Sequence, residues 1–214
     1  MNEQEGVIKY QLDHQFQKID LDVAELIAWR TLLYKLELIN QRSDKYAGLS
    51  YGNLSQRNPD DSECFMITAS QTGHLANVSQ DDFALVTEYN IKQNSMKSKG
   101  TKPPSSEALT HAAIYHANHS VQAVVHVHSP VIWQYTHELG LTFTEREIAY
   151  GTVAMADAVT SIAASNQHQM LFSMLGHEDG VVVYGNSITN CCLLLLETFA
   201  KAERFNQLTQ TTGK

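Results

Sequence analysis

Between Leu21 and Asn40 the apolar residues Val23, Leu26, Ile27, Leu33, Leu36 and Ile39 recur at the spacing of one helix face. That period predicts a helix, with Asp20 available as its cap. The residues before it, 1–19, are polar and poor in apolar side chains, and read as an N-terminal arm ahead of a domain over 20–214. Tyr51-Gly52-Asn53-Leu54-Ser55 reads as a short strand carrying a turn-prone Gly-Asn. Asn58-Pro59-Asp60-Asp61 is a turn, and Cys64-Phe65-Met66-Ile67-Thr68 a buried strand, so the two runs predict a hairpin. Ala69–Leu75 is loop-like. Ser79-Gln80-Asp81-Asp82 resembles a short helix start, with a strand near Ala84–Tyr89. The polar stretch Asn90–Pro104, with Lys92, Lys97, Lys99 and Lys102, reads as a solvated loop or hairpin. Ser105-Ser106-Glu107 can open a helix running to about Asn118, its acidic first turn suiting the positive helix end. Val121–His128 is a valine-rich strand. Ser129-Pro130 supplies a cap and a first-turn proline for a helix ending near Gly140. Thr152–Ala164 reads as a helix, Gly180–Gly185 as a buried strand, and Ser187 as the start of a long final helix. No repeat, low-complexity tract or linker interrupts this mixture, which predicts α/β layers around one sheet.

Composition narrows the picture. The chain has 214 residues, 43% hydrophobic and 18% charged. That is a globular mixture with room for one ordinary domain, and it excludes wholesale disorder, collagen and coiled coil. Fifteen basic against 23 acidic residues leave a net charge of −8, with no clustered basic face of the kind nucleic acid needs. The longest apolar run, Cys191–Leu196, falls far short of the ~20 residues that span a bilayer. The acidic Met-Asn-Glu-Gln-Glu start lacks the apolar core of a signal peptide. Three cysteines, two of them adjacent, make no disulfide framework, so the expected setting is a reducing cytoplasm.

Candidate chemistry gathers around the histidines. Alternate residues on a strand face the same way, so the His126 and His128 backbones lie ~6.6 Å apart with both rings on one side. Two such imidazoles can converge on one ion with zinc–nitrogen bonds of ~2.0–2.1 Å; the alternative is a half-buried pair without metal. A third ligand would come from elsewhere, and His177, at the mouth of the Gly180–Gly185 strand, is placed for it. His111, His116, His119, His137, His14, His74 and His168 read as surface or capping residues. Glu107 has two readings, a carboxylate complementing a helix dipole or a general acid/base beside a metal. Gly52-Asn53-Leu54-Ser55, Thr68-Ala69-Ser70-Gln71-Thr72-Gly73 and Ser105-Ser106 combine small polar side chains with accessible amides. Such groups can cradle a phosphate or a carboxylate.

Taken together and in order, these pieces resemble the class II aldolase/adducin family from about Leu21 to Glu203. The resemblance rests on Gly52-Asn53-Leu54-Ser55, Ile67-Thr68, Pro104-Ser105-Ser106-Glu107, Ala112-Ala113-Ile114-Tyr115, Val124-Val125-His126-Val127-His128-Ser129-Pro130, Tyr150-Gly151-Thr152, His177 and Glu197. It implies a three-layer α/β/α sandwich with a mainly antiparallel central sheet, assembled as a homotetramer. It also implies Zn2+, or another divalent ion such as Mn2+, Co2+ or Fe2+, on His126, His128 and His177, with Glu107 as the acid/base. Asn53, Thr68, Ser105 and Ser106 match positions that surround a substrate phosphate in the aldolase members, and Ser70, in the Thr68–Gly73 loop, is expected to bind substrate with them. Tyr150 is the nearest candidate for an aromatic proton donor. The implied function is metal-dependent carbon–carbon cleavage of a small sugar-like or hydroxy-acid substrate through a metal-stabilised enediolate. An epimerase or dehydratase of a sugar phosphate, or an adducin-like assembly domain, are the alternatives. Two features depart from the family pattern. Glu178 and Asp179 stand between His177 and Gly180, and the Thr68–Gly73 loop is longer than the common Thr-x-Ser-Gly.

Overall fold

The computed structural model describes residues 7–165 and 170–212; the acidic first five residues and His168 lie outside the described residues. The elements in chain order are β1 (Gln11–Phe16), α1 (Ala24–Lys35), β2 (Asn40–Gln41), β3 (Ser50–Tyr51), β4 (Asn53–Asn58), β5 (Asp61–Thr68), β6 (Phe83–Asn90), β7 (Ser95–Gly100), α2 (Ala108–Ala117), β8 (Ala123–His128), α3 (Pro130–Gln134), β9 (Thr142–Thr144), α4 (Val153–Ser165), β10 (Leu171–Met174), β11 (Gly180–Gly185) and α5 (Ile188–Thr212). Nine strands form one sheet in the order β1-β7-β6-β5-β4-β8-β11-β10-β9, and β2 pairs with β3 apart from it.

The sheet is mixed. Its inner neighbours run antiparallel, while β1 on β7 and β10 on β9 pair in parallel at the two edges. The expectation of a mainly antiparallel sheet therefore needs amending at the edges. The period of two decides which residues face which layer. On β8, Val124 joins the core under α2 and α4, with Leu109, Ile114, Met155 and Val159. Val125 and Val127 join the opposite core, with Leu26, Leu33, Ile132, Cys192 and Leu195 from α1, α3 and α5. These three valines are fully buried, and each side chain is worth roughly 1.5–3 kcal/mol relative to exposure. Slipping β8 by one residue would turn both histidines into the wrong layer. None of the helices among the described residues is long and apolar enough to cross a membrane.

Three expectations are corrected here. The presumed arm contributes β1, which lies along β7 in register Gln11↔Ser95 to Phe16↔Gly100. As an edge strand it is only half-covered, so it carries too few apolar residues to stand out in the sequence. The first helix starts later and ends earlier than its apolar spacing suggests. Asp22 rather than Asp20 accepts the Ala24 N–H, at 3.4 Å. At the other end, Glu37 takes a left-handed φ of 59° and Leu38 donates to Leu33 O at 3.0 Å, which turns the chain out of the helix. Strands β9 and β10 are short pieces that the apolar pattern did not single out.

Candidate metal centre

His126 and His128 share the parity of Val124, so their rings stand on the α2 side of β8. His177 reaches them because β11 lies antiparallel beside β8, pairing Gly180 with His128 and Val182 with His126. The turn before β11 is held by His177 N–H to Met174 O at 3.0 Å and Gly180 N–H to His177 O at 2.9 Å. Residue 180 must be glycine, because a Cβ there would stand 2.7 Å from His177 Cδ2. The three ring centroids lie 4.8–5.4 Å apart. One nitrogen from each ring lies within 4.8 Å of the others, a grouping that could hold one metal ion.

The chemistry of the donors fits a divalent ion. All three histidines are at most 2% exposed. Burial first, then the charge that His177 would carry, holds His126 and His128 well below the ordinary imidazole range, so both are neutral. His126 Nδ1 donates to Val181 O at 3.2 Å, which leaves the lone pair on Nε2. That atom is buried without a hydrogen-bond partner among the described residues. A backbone carbonyl fixing the tautomer of a ring whose other nitrogen faces its neighbours is the usual support for a metal-ligating imidazole.

Glu107 has a side chain turned away from its own helix end. Its backbone is the N-cap of α2, yet its side chain caps nothing. Oε2 accepts the Thr110 hydroxyl at 2.9 Å, and Oε1 lies 3.9 Å from His177 Nε2. The carboxylate is 1% exposed and faces His177. Tyr150, fully buried, packs its ring 4.7 Å from that of His177, with Lys9 Nζ 3.5 Å above the same ring.

Other residues enter that the sequence reading had left outside the site. His111, taken for a surface or capping residue, is fully buried on the inward face of α2, one turn beyond Glu107. Burial pushes its imidazole down to about 3. Its Nδ1 lies 2.7 Å from Ser55 Oγ, which also lies 2.8 Å from the Tyr115 hydroxyl. The spacing Glu107, Thr110, His111, Tyr115 is one helix face, and it was the available signal. His116, His119, His137 and His74 are exposed and His14 half-buried, away from the centre. Asp179 is buried in a left-handed conformation, φ 63°. Its Oδ2 accepts from Tyr46 OH at 2.5 Å and Lys45 Nζ at 3.0 Å, while the Tyr46 ring stands edge-on to His128 at 4.5 Å. Glu178 is exposed. Of the two extra carboxylates, Asp179 ties a neighbouring loop to the centre through these hydrogen bonds.

The small polar segments also converge. Asn53, Ser70, Ser105 and Ser106 line one cavity with Gln71 and Gly73. Thr68, expected with them, is not among its lining residues; its hydroxyl accepts the Leu54 N–H at 3.2 Å and braces β4 against β5.

Comparison with known proteins agrees with this architecture. The Class II Aldolase and Adducin N-terminal domain family matches residues 41–204. The L-fuculose-1-phosphate aldolase of Thermus thermophilus superposes with a TM-score of 0.65 at 17% identity, covering 89% of this chain and 95% of that one. YgbL of Escherichia coli, named for three alternative activities (aldolase, epimerase or decarboxylase), gives 0.63 at 22% identity over 86% and 87%. A sugar-phosphate aldolase of Thermotoga maritima gives 0.64 at 15% identity over 86% and 94%. At such identities these likenesses establish the fold. No curated protein sequence matches the chain.

Proposed function

The chain belongs to the Class II Aldolase and Adducin N-terminal domain family, and from that membership we propose that it is a metal-dependent lyase. Its reaction is cleavage of a carbon–carbon bond in a small sugar-like or hydroxy-acid substrate. The observation that carries this reading is the placement of Glu107 Oε1 3.9 Å from His177 Nε2, beside the buried trio His126, His128 and His177. These histidines would hold the ion through three neutral nitrogens. When bound, a divalent ion supplies Lewis acidity toward negative charge developing on substrate oxygens.

The protein's own groups do the rest. Thr110 holds Oε2 of Glu107, so Oε1 is the oxygen that moves a proton at the substrate carbon beside the carbonyl. In the cleavage direction the hydroxyl proton of the carbon that becomes the aldehyde is removed and the carbon–carbon bond breaks. The electron pair passes to the fragment bearing the carbonyl, where Glu107 returns a proton. Tyr150, in ring contact with His177, is the candidate for the other proton. Asn53, Ser70, Ser105 and Ser106 seat one end of the substrate. A retro-aldol screen over hydroxy acids, sugars and sugar phosphates with protein purified without chelator tests the reading. Cleavage that stops on chelation is expected; a protein that binds no divalent metal would sink it. By family resemblance the assembly is a homotetramer, and sedimentation should give about four times the 23.9 kDa chain mass.

A further inference from the structure

The cavity lined by Asn53, Ser70, Ser105 and Ser106 has the residues of an anion cradle, but several of its backbone donors are already engaged. Ala69 N–H goes to Asp82 O at 2.8 Å, Ser70 N–H to Pro103 O at 2.9 Å and Ser105 N–H to Thr68 O at 3.1 Å. Ser50 N–H goes to Gln71 Oε1 at 3.2 Å, and Glu107 N–H to Ser105 Oγ at 3.3 Å. A phosphate site built on a helix N-terminus or a nest works by aiming such amides at the ligand. Here the amides of Ser50, Ala69, Ser70 and Ser105 are aimed at the protein.

Space argues the same way. The cavity measures about 10 Å³, and ~10–15 Å³ of such space is needed to admit a single water. A phosphoryl group presents three water-sized oxygens. The back wall has little room to retreat. The Arg30 guanidinium, 1% exposed, donates to Thr72 O at 2.8 Å, Gly73 O at 2.9 Å and Leu75 O. Gly73 lies so close to β2 that a Cβ would stand 2.6 Å from Asn40 O. The exposed part of the rim is Gln71, whose backbone holds a left-handed φ of 57°. Asn53 is 5% exposed and lines the cavity, and its Oδ1 has no hydrogen-bond partner among the described residues. That amide is left for a small polar group of the ligand.

We infer that Gln71 closes this cradle to phosphate, so that the substrate end seated there is a single hydroxyl and the substrate is an unphosphorylated polyol or hydroxy acid. The inference rests on the proposed function for calling the cavity a substrate subsite, but its test reads no turnover. Gln71→Gly removes the side chain, releases the Ser50 N–H, and suits a left-handed backbone better than glutamine does. Inorganic phosphate is titrated calorimetrically into the metal-loaded parent, the Gln71→Gly variant, and the Gln71→Gly/Ser106→Ala double variant. The expected result is at least about tenfold tighter phosphate binding by Gln71→Gly than by the parent, with the gain abolished by Ser106→Ala. Equal binding by parent and Gln71→Gly, whether tight or absent, overturns the inference. So does a gain that survives Ser106→Ala, because the phosphate would then sit elsewhere. Lyase activity found alongside a failed phosphate result would leave the proposed function standing and remove this inference alone.

Discussion

The histidine centre and the serine cradle flank the same helix start, and they treat their polar atoms in opposite ways. In the centre, neutral imidazoles are buried against one another, and His126 Nε2 has no hydrogen-bond partner among the described residues. In the cradle, backbone donors are spent on carbonyls of the adjoining loops and on Gln71. Burying a polar atom unpaired costs about 1–3 kcal/mol, so the first region bears a cost that a ligand would relieve. The second has already satisfied several of its donors within the protein, so less is left there for an anion to relieve. Residue type alone made both regions look like ligand sites, and the hydrogen-bond inventory separates them.

The comparison can be broken most sharply at the metal. His128→Ala should lose the bound equivalent of divalent ion while the fold persists, as measured by elemental analysis beside a melting curve. A variant that keeps a full equivalent would show that the ligand set is wrong. The next largest effect falls on Glu107. Because its carboxylate faces His177 and caps nothing, Glu107→Gln should lower turnover by ~10²–10⁴-fold with the metal retained. A rate within a factor of about two of the parent would return Glu107 to a structural role and direct attention to Asp179.

Acid should distinguish the two regions as well. His111, His126 and His128 all have folded-state pKa values depressed by burial, while in the unfolded chain each titrates near ~6.5. Below that value the unfolded chain binds protons that the folded one refuses, so stability falls as pH falls. For His111 the loss extends from ~6.5 down to about 3; above ~6.5 neither state changes charge. The melting temperature of metal-free protein should therefore be flat above that point and decline below it. Ser105→Ala and Ser106→Ala should leave that slope unchanged, because the cradle contributes no histidine. A slope that is the same for metal-free and metal-loaded protein would contradict the placement of the neutral donors.

The smallest effect tests the support behind the centre. Ser55→Ala leaves His111 Nδ1 and the Tyr115 hydroxyl without the oxygen they share. Unfolding by denaturant should show a loss of ~1–3 kcal/mol, with metal content unchanged. A neutral result would mean that the network relaxes around the lost hydroxyl.

Most of the elements that build the site were legible in the chain. The same-face pair on β8, the serine-capped proline start of α3 and the strand after His177 follow from local periods and caps, which act over a few residues. Local pattern also put Glu107 at the first turn of α2, but it could not say which way the carboxylate points. That depended on Thr110 and on the antiparallel pairing that carries His177 to His128, a contact between segments far apart in sequence. His111 was misread for the same reason, since a histidine in a helix looks alike on either face until the sheet fixes which side is buried. β1 was missed because an edge strand is only half-covered and leaves a weak apolar signature. The cradle shows the limit most plainly. The sequence determined which small polar residues were available. Only the folded backbone decided that their amides point at Asp82, Pro103 and Thr68, because hydrogen-bond direction is set by tertiary geometry rather than by residue type.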